Sequence, residues 1–156
     1  MEFDVKIKSG DLYDYMMKHT YSKPAGLLGS TVGAIMILAG LARAYVLFII
    51  LGAVLLLYLP YTLFIKSKRQ SLNPVFQNPL HYVVDEEGIT VSQGPVKEAV
   101  KWDDIYKAIS TTKSIIVYTS KVNAWIFPKR DLGDQTVGMI LMISTHMDAS
   151  RIKIRQ

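Results

Sequence analysis

The sequence predicts an α+β membrane protein. A two-helix transmembrane hairpin comes first, then a small cytoplasmic antiparallel β barrel or sandwich closed by a C-terminal helix. Three observations carry that prediction. Residues 25–65 hold a single charge, Arg43. Residues 80–127 are strand-like, with turn signals every few residues. Residues 134–147 return to a helical period. Half of the 156 residues are apolar and 20% are charged, which is too apolar for a disordered chain. The absence of cysteine excludes disulfides, Fe–S clusters, Cys-based zinc sites and thiol nucleophiles.

The elements follow in chain order, beginning with an N-terminal unit over residues 1–24. There Phe3, Val5 and Ile7 alternate with Asp4, Lys6 and Lys8, the period of a half-buried strand. Ser9 and Gly10 break it, and Ser9 or Asp11 can cap the helix that follows. In that helix Leu12, Tyr13, Met16, Met17 and Tyr21 recur at helical spacing, and Asp14 precedes Lys18 by one turn. Two readings of this amphipathic helix stand side by side. It lies on the inner leaflet, or it docks on the cytoplasmic domain.

Residues 25–65 as one helix would run about 60 Å, twice the hydrocarbon thickness, and would strand Arg43 near the bilayer centre. Two spans, 25–42 and 44–65, with a turn at Leu41–Ala44, place Arg43 among headgroups instead. Lys18, Lys23, Lys66, Lys68 and Arg69 flank the outer ends while the turn has only Arg43, which puts both termini in the cytoplasm. Pro60 is expected to kink the second span. The run starts too late and is too long for a cleaved signal peptide. Gly26, Gly29, Ser30, Gly33 and Gly40 put small residues along span one, a helix-contact face that serves either span two or a second copy of the chain.

Residues 66–79 read as a basic linker, where Lys66, Lys68 and Arg69 meet lipid headgroups and Asn73–Pro74 and Asn78–Pro79 punctuate the chain. Residues 80–156 then form the β-domain. LHYVVD, ITVSQ and VKEAVKW make a meander, IYKAIST and SIIVYTS a hairpin, and NAWIF a sixth strand. In the closing helix Val137, Ile140, Leu141 and Ile143 face a sheet, with Asp134 as N-cap. Trp102 is expected with Ile105 and Tyr106 in the core, a ligand pocket being the other reading.

MEFDVKI, LPYTLFIKSK, HYVVDEEGITVSQG and above all KWDDIYKAISTTKSIIVYTSKVNAWIFPKRDLGD resemble the YcxB-like family of small bacterial membrane proteins. The likeness runs over nearly the whole chain. It implies a bacterial cytoplasmic membrane location but brings no activity. The C-terminal part also looks like a pleckstrin-homology-type domain, whose two sheets usually count seven strands. Phe3–Lys8 or Arg151–Arg155 could supply the seventh. Inositol-lipid binders of that fold carry bases in the first loop, whereas Asp85, Glu86 and Glu87 stand here.

No pattern for chemistry emerges. His19, His81 and His146 lie in separate segments without ligand spacing, so no metal or other cofactor is expected. No serine sits in a nucleophile motif, and Asp103–Asp104 reads as a solvated turn. The +5 net charge comes mainly from residues 66–69, not from a basic face, so nucleic acid is not an expected partner. Lys129 and Arg130 end a strand as a solvated loop or as a binding edge for anionic headgroups. The functional expectation is a non-enzymatic, membrane-anchored binding or regulatory module that meets the bilayer and an unidentified protein. The alternative is a homo-oligomeric structural protein joined through the glycine face.

Overall fold

Strand β1 (Glu2–Val5) pairs antiparallel with β2 (Leu80–Val84), with Glu2 opposite Val83. The chain between them makes four helices: α1 (Ser9–Tyr21), α2 (Pro24–Arg43), α3 (Val46–Ser71) and the one-turn α4 (Pro74–Gln77). The computed structural model of the chain describes residues 1–154.

β2 continues into the meander of β3 (Gly88–Gln93) and β4 (Val96–Lys101), so the first sheet runs β1-β2-β3-β4. A second sheet, ordered β7-β6-β5-β8, holds β5 (Lys107–Ser110), β6 (Ser114–Tyr118), β7 (Ala124–Pro128) and the two-residue β8 (Ile152–Lys153). All pairings are antiparallel except β5 with β8, which is parallel. Thus both candidates for the extra strand are used, one completing each sheet. Arg155, at the end of the second candidate, lies outside the described residues.

The barrel expectation is corrected. Among the described residues the two sheets stay separate, with β1 and β4 as the edges of the first and β7 and β8 as those of the second, and their inner faces pack together as a sandwich. Their inner faces share one core, in which the Tyr82 and Phe127 rings meet edge-on at 4.7 Å and Phe3 touches both. Trp102 closes the end of this core. Its indole N–H donates to the Asp85 carbonyl at 2.9 Å and its ring stacks on His146. Ile105 is fully buried beside it, but Tyr106 is 45% exposed. The strand starts at Lys107, two residues later than expected, and Tyr106 stands outside the core.

Helix α6 (Gln135–His146) follows a one-turn α5 (Lys129–Leu132) and buries Met139 and Ile143. Val137 and Leu141 are 75% and 66% exposed, so the expected face is rotated. The segment MILMI is apolar all round and gives no phase to the period. Asp134 occupies the N-cap position without a side-chain capping bond.

α2 and α3 are both long and apolar enough to cross a membrane. Ala44 and Tyr45 turn the chain between them, with Ala44 in the left-handed conformation (φ 54°) and the Tyr45 N–H bonded to the Gly40 carbonyl. α3 runs unbroken through Pro60 to Ser71. Lys66, Lys68 and Arg69 therefore stand on its last turns, not in a linker, since basic residues are good helix formers and favour a C-terminal dipole. The large side chains of both helices point away from the protein, among them Leu28, Leu38, Leu57 and Phe48.

Helix α1 is docked on the β-domain, the second of its two readings. Leu12 and Asp11 are buried, and Asp11 accepts the Lys8 N–H at 2.7 Å as the start of the helix. Farther along, Thr111 donates to Asp14, the Tyr15 hydroxyl donates to the Val122 carbonyl, and His19 bonds Tyr118 at 3.2 Å.

Candidate functional site

The inward residues of the first sheet fall in cross-strand rows set by its register. Tyr82, Val91 and Glu98 form one row, and Leu80, Gln93 and Val96 line up beside it. Where the second sheet ends at its β7 edge, these rows have no strand above them, and a cavity of about 380 Å³ remains. Trp125 and Ala124 of β7 form one wall, and Leu12 and Tyr15 of α1 another. Gln70 from the last turn of α3, with Val75 and Phe76 of α4, also lines this half-open site. The Gln93 amide ties α4 to the sheet by donating to the carbonyls of Val75 (2.8 Å) and Asn78 (3.2 Å).

The lining is mostly apolar with a few polar groups, the composition of small-ligand sites, and the volume lies within their usual span of about 300–1,000 Å³. Burial, and then the charge of Glu98, push the Tyr82 hydroxyl well above its ordinary pKa, so it stays protonated. Among the described residues no hydrogen bond to the protein engages that hydroxyl. It is a neutral donor free to meet a ligand. Burial likewise raises the Tyr15 pKa.

The expected site residues are distributed differently. Lys66, Lys68 and Arg69 are exposed on α3, with the Lys68 ammonium over the Phe64 ring at 4.7 Å. Arg130 is not a free binding edge. Its guanidinium grips the buried Asp11 carboxylate through both terminal nitrogens, donates to the Lys6 carbonyl at 2.9 Å and meets Asp131 at 3.1 Å. This pair pins α1 to α5, and it raises the Arg130 pKa, its hydrogen bond to Asp11 being the main cause. Lys129 stays half-buried without an ion pair among the described residues.

Three of the four glycines make backbone contacts inside the chain. A Cβ on Gly33 would stand 2.7 Å from the Gly52 carbonyl oxygen of α3, one on Gly40 would strike Ile49, and one on Gly26 would strike the Thr20 carbonyl. Around Gly29 there is open space. Gly52, the true counterpart of Gly33, was not singled out from the sequence, although it is the sole glycine of span two. The cavity had no sequence signal of its own, because it is made by residues from α1, α3, α4 and both sheets. Among the described residues no three His, Asp or Glu side chains gather to hold a metal.

The decisive comparison concerns the strand-rich half. The model of the YcxB-like protein family matches residues 84–137. The resemblance is therefore shown over the stretch from the end of β2 into α6, which includes the Trp102 corner and the β5–β6 hairpin. No curated protein and no solved structure matches the chain.

Proposed function

We propose that this chain, with its YcxB-like segment, is a membrane-anchored binding module that senses an apolar ligand and carries out no reaction of its own. The observation that carries this reading is the cavity beneath Gln70 and Phe76. Its walls are the segments that enter and leave the two apolar helices. In this reading α2 and α3 cross the bacterial cytoplasmic membrane as a hairpin. Both flanks then lie on the cytoplasmic side, because α1 and α4 attach to one β-domain and five bases flank the outer ends against Arg43 at the turn. We read the β-domain as pleckstrin-homology-like, two sheets over one core with a C-terminal helix packed on it.

A slender apolar group such as an acyl chain suits the cavity. It would arrive from the bilayer along α3 and meet the Tyr82 hydroxyl as a polar contact. Occupancy would press on α1 through Leu12 and Tyr15, and α1 leads directly into α2. A module so tethered acts on partners in the same bilayer at high effective concentration.

Brominated fatty acid added to the full chain in nanodiscs tests this, since bromine quenches nearby tryptophan emission. Quenching is expected in the Trp102→Phe variant, where Trp125 reports, and not in Trp125→Phe, where buried Trp102 reports. Equal quenching of both variants, or of neither, sinks the acyl-ligand reading.

A further inference from the structure

A second cleft, of about 820 Å³, runs along the other flank of α1, between that helix and β5. Four lysines from four elements converge there. They are Lys18 of α1, Lys107 of β5, Lys129 of α5 and Lys153 of β8. Lys153 is brought in only because β8 pairs in parallel with β5, which sets it opposite Ile109. Among the described residues none of the four makes an ion pair. The one acid in the lining, Asp14, is already engaged as acceptor for the Thr111 hydroxyl. The ammonium of Lys107 lies 4.6 Å over the Tyr118 ring, so it is held in place without being neutralised.

Like charges gathered in a concave site reinforce one another's field, and such a site concentrates anions. Of the hydroxyls in the lining, Thr111 and Ser22 already donate to Asp14 and to the Lys18 carbonyl and Tyr21 is paired with Ser30, so Thr112 is the further donor suited to a phosphoryl oxygen. The field reaches the neighbouring His19, whose pKa is lowered by burial and then by Lys23 and Lys107. Lys18, Tyr21 and Ser22 end α1 immediately before Pro24 opens α2, so the cleft reaches the foot of the apolar hairpin.

We propose that the cleft between α1 and β5 binds a phosphoryl anion, held by Lys18, Lys107, Lys129 and Lys153. A lipid phosphate headgroup and a soluble phosphate share that chemistry. Only the lipid source rests on the membrane reading, and the cleft is independent of the apolar cavity.

The test uses the full chain in neutral detergent without phosphate buffer. Dioleoyl phosphatidylglycerol, dioleoyl phosphatidylcholine or inorganic phosphate is added, and binding is read by native mass spectrometry and by the rise in melting temperature. Phosphatidylglycerol is expected to bind in preference to phosphatidylcholine. Lys107→Gln with Lys153→Gln should weaken it about tenfold to thirtyfold. The paired Lys→Arg variant should bind as wild type, as should Lys66→Gln with Lys68→Gln. If inorganic phosphate raises the melting temperature in a Lys107- and Lys153-dependent way and displaces the lipid, the source is a soluble phosphate and the site stands. If it does neither, the source is the headgroup. The proposal is overturned if neither anionic probe binds, if the two lipids bind equally with no effect of phosphate, if the glutamine pair binds like wild type, or if the α3 substitutions abolish the preference.

Discussion

The helical hairpin and the β-sandwich use the same apolar residue types in opposite directions. In the sandwich, Val5, Ile89, Ile115 and Phe127 point inward and are fully buried. In the hairpin, Leu28, Leu38 and Leu57 point outward and Gly33 and Gly52 point inward, so that the backbones of α2 and α3 nearly touch. Water drives the first arrangement, because burying apolar area is favourable. The second makes sense where the surroundings are as apolar as the side chains, so that close packing and not exclusion from water holds the helices together. The inversion shows that composition alone does not tell a core from a coat. Which residue faces the neighbour does.

The contrast can be broken by truncation. Phe127→Ala should cost about 3–5 kcal/mol of sandwich stability in urea unfolding of the full chain, because it leaves a cavity among Phe3 and Tyr82. Leu57→Ala on the hairpin coat should cost less than about 0.5 kcal/mol. Equal losses would mean that the coat is a packed core after all.

The next effect concerns the inward face of the hairpin. Gly33→Leu forces a side chain against the Gly52 carbonyl and should destabilise the hairpin by about 1–3 kcal/mol. Gly29→Leu meets open space and should leave melting in detergent unchanged. Should Gly29→Leu instead dissolve a detergent-stable oligomer, the glycine face would be shared between copies.

Between the two regions stands the Asp11–Arg130 pair. Arg130→Ala leaves a buried carboxylate with only the Lys8 N–H and should cost about 1–3 kcal/mol. The loss should appear as earlier proteolysis near α1, while the double variant with Asp11→Ala recovers much of it. No recovery would show that the two residues act separately.

The smallest effect is a pH dependence. His19 titrates below 6.5 in the folded chain, so the unfolded chain takes up its proton first as pH falls. Stability should be insensitive to His19 above pH 6.5 and should decline below it, and His19→Gln should flatten that decline in melting curves between pH 7 and pH 5. An unchanged slope would exclude His19 as its source.

Much of this architecture is legible in the residues. The alternation of EFDV, LHYVV and ITVSQ marks strands, and the Gly94–Pro95 and Thr112–Lys113 turns fall between paired strands as read. The end of α3 was not legible, because Lys66 and Arg69 signal a change of surroundings and not the end of a helix. β8 was legible only as one of two candidates, within Arg151–Arg155, since a two-residue strand has no period of its own. The site residues were least legible. Arg130 looks like any surface base until the fold sets the buried Asp11 against it. The four lysines of the second cleft are scattered from residue 18 to residue 153 and share no motif.

The pairing of Glu2 with Val83 has a consequence for how the chain is made. β1 leaves the ribosome well before its partner and must wait, with an open ladder edge, while α2 and α3 are synthesised. Contacts so distant in sequence are slow to form, since a long loop must close first. The hairpin shortens that loop, because its tight turn returns the start of β2 to the place where β1 was left. Assembly of the helices is thereby a timing step for the sandwich, and a hairpin that fails to form leaves β1 as an exposed template for aggregation.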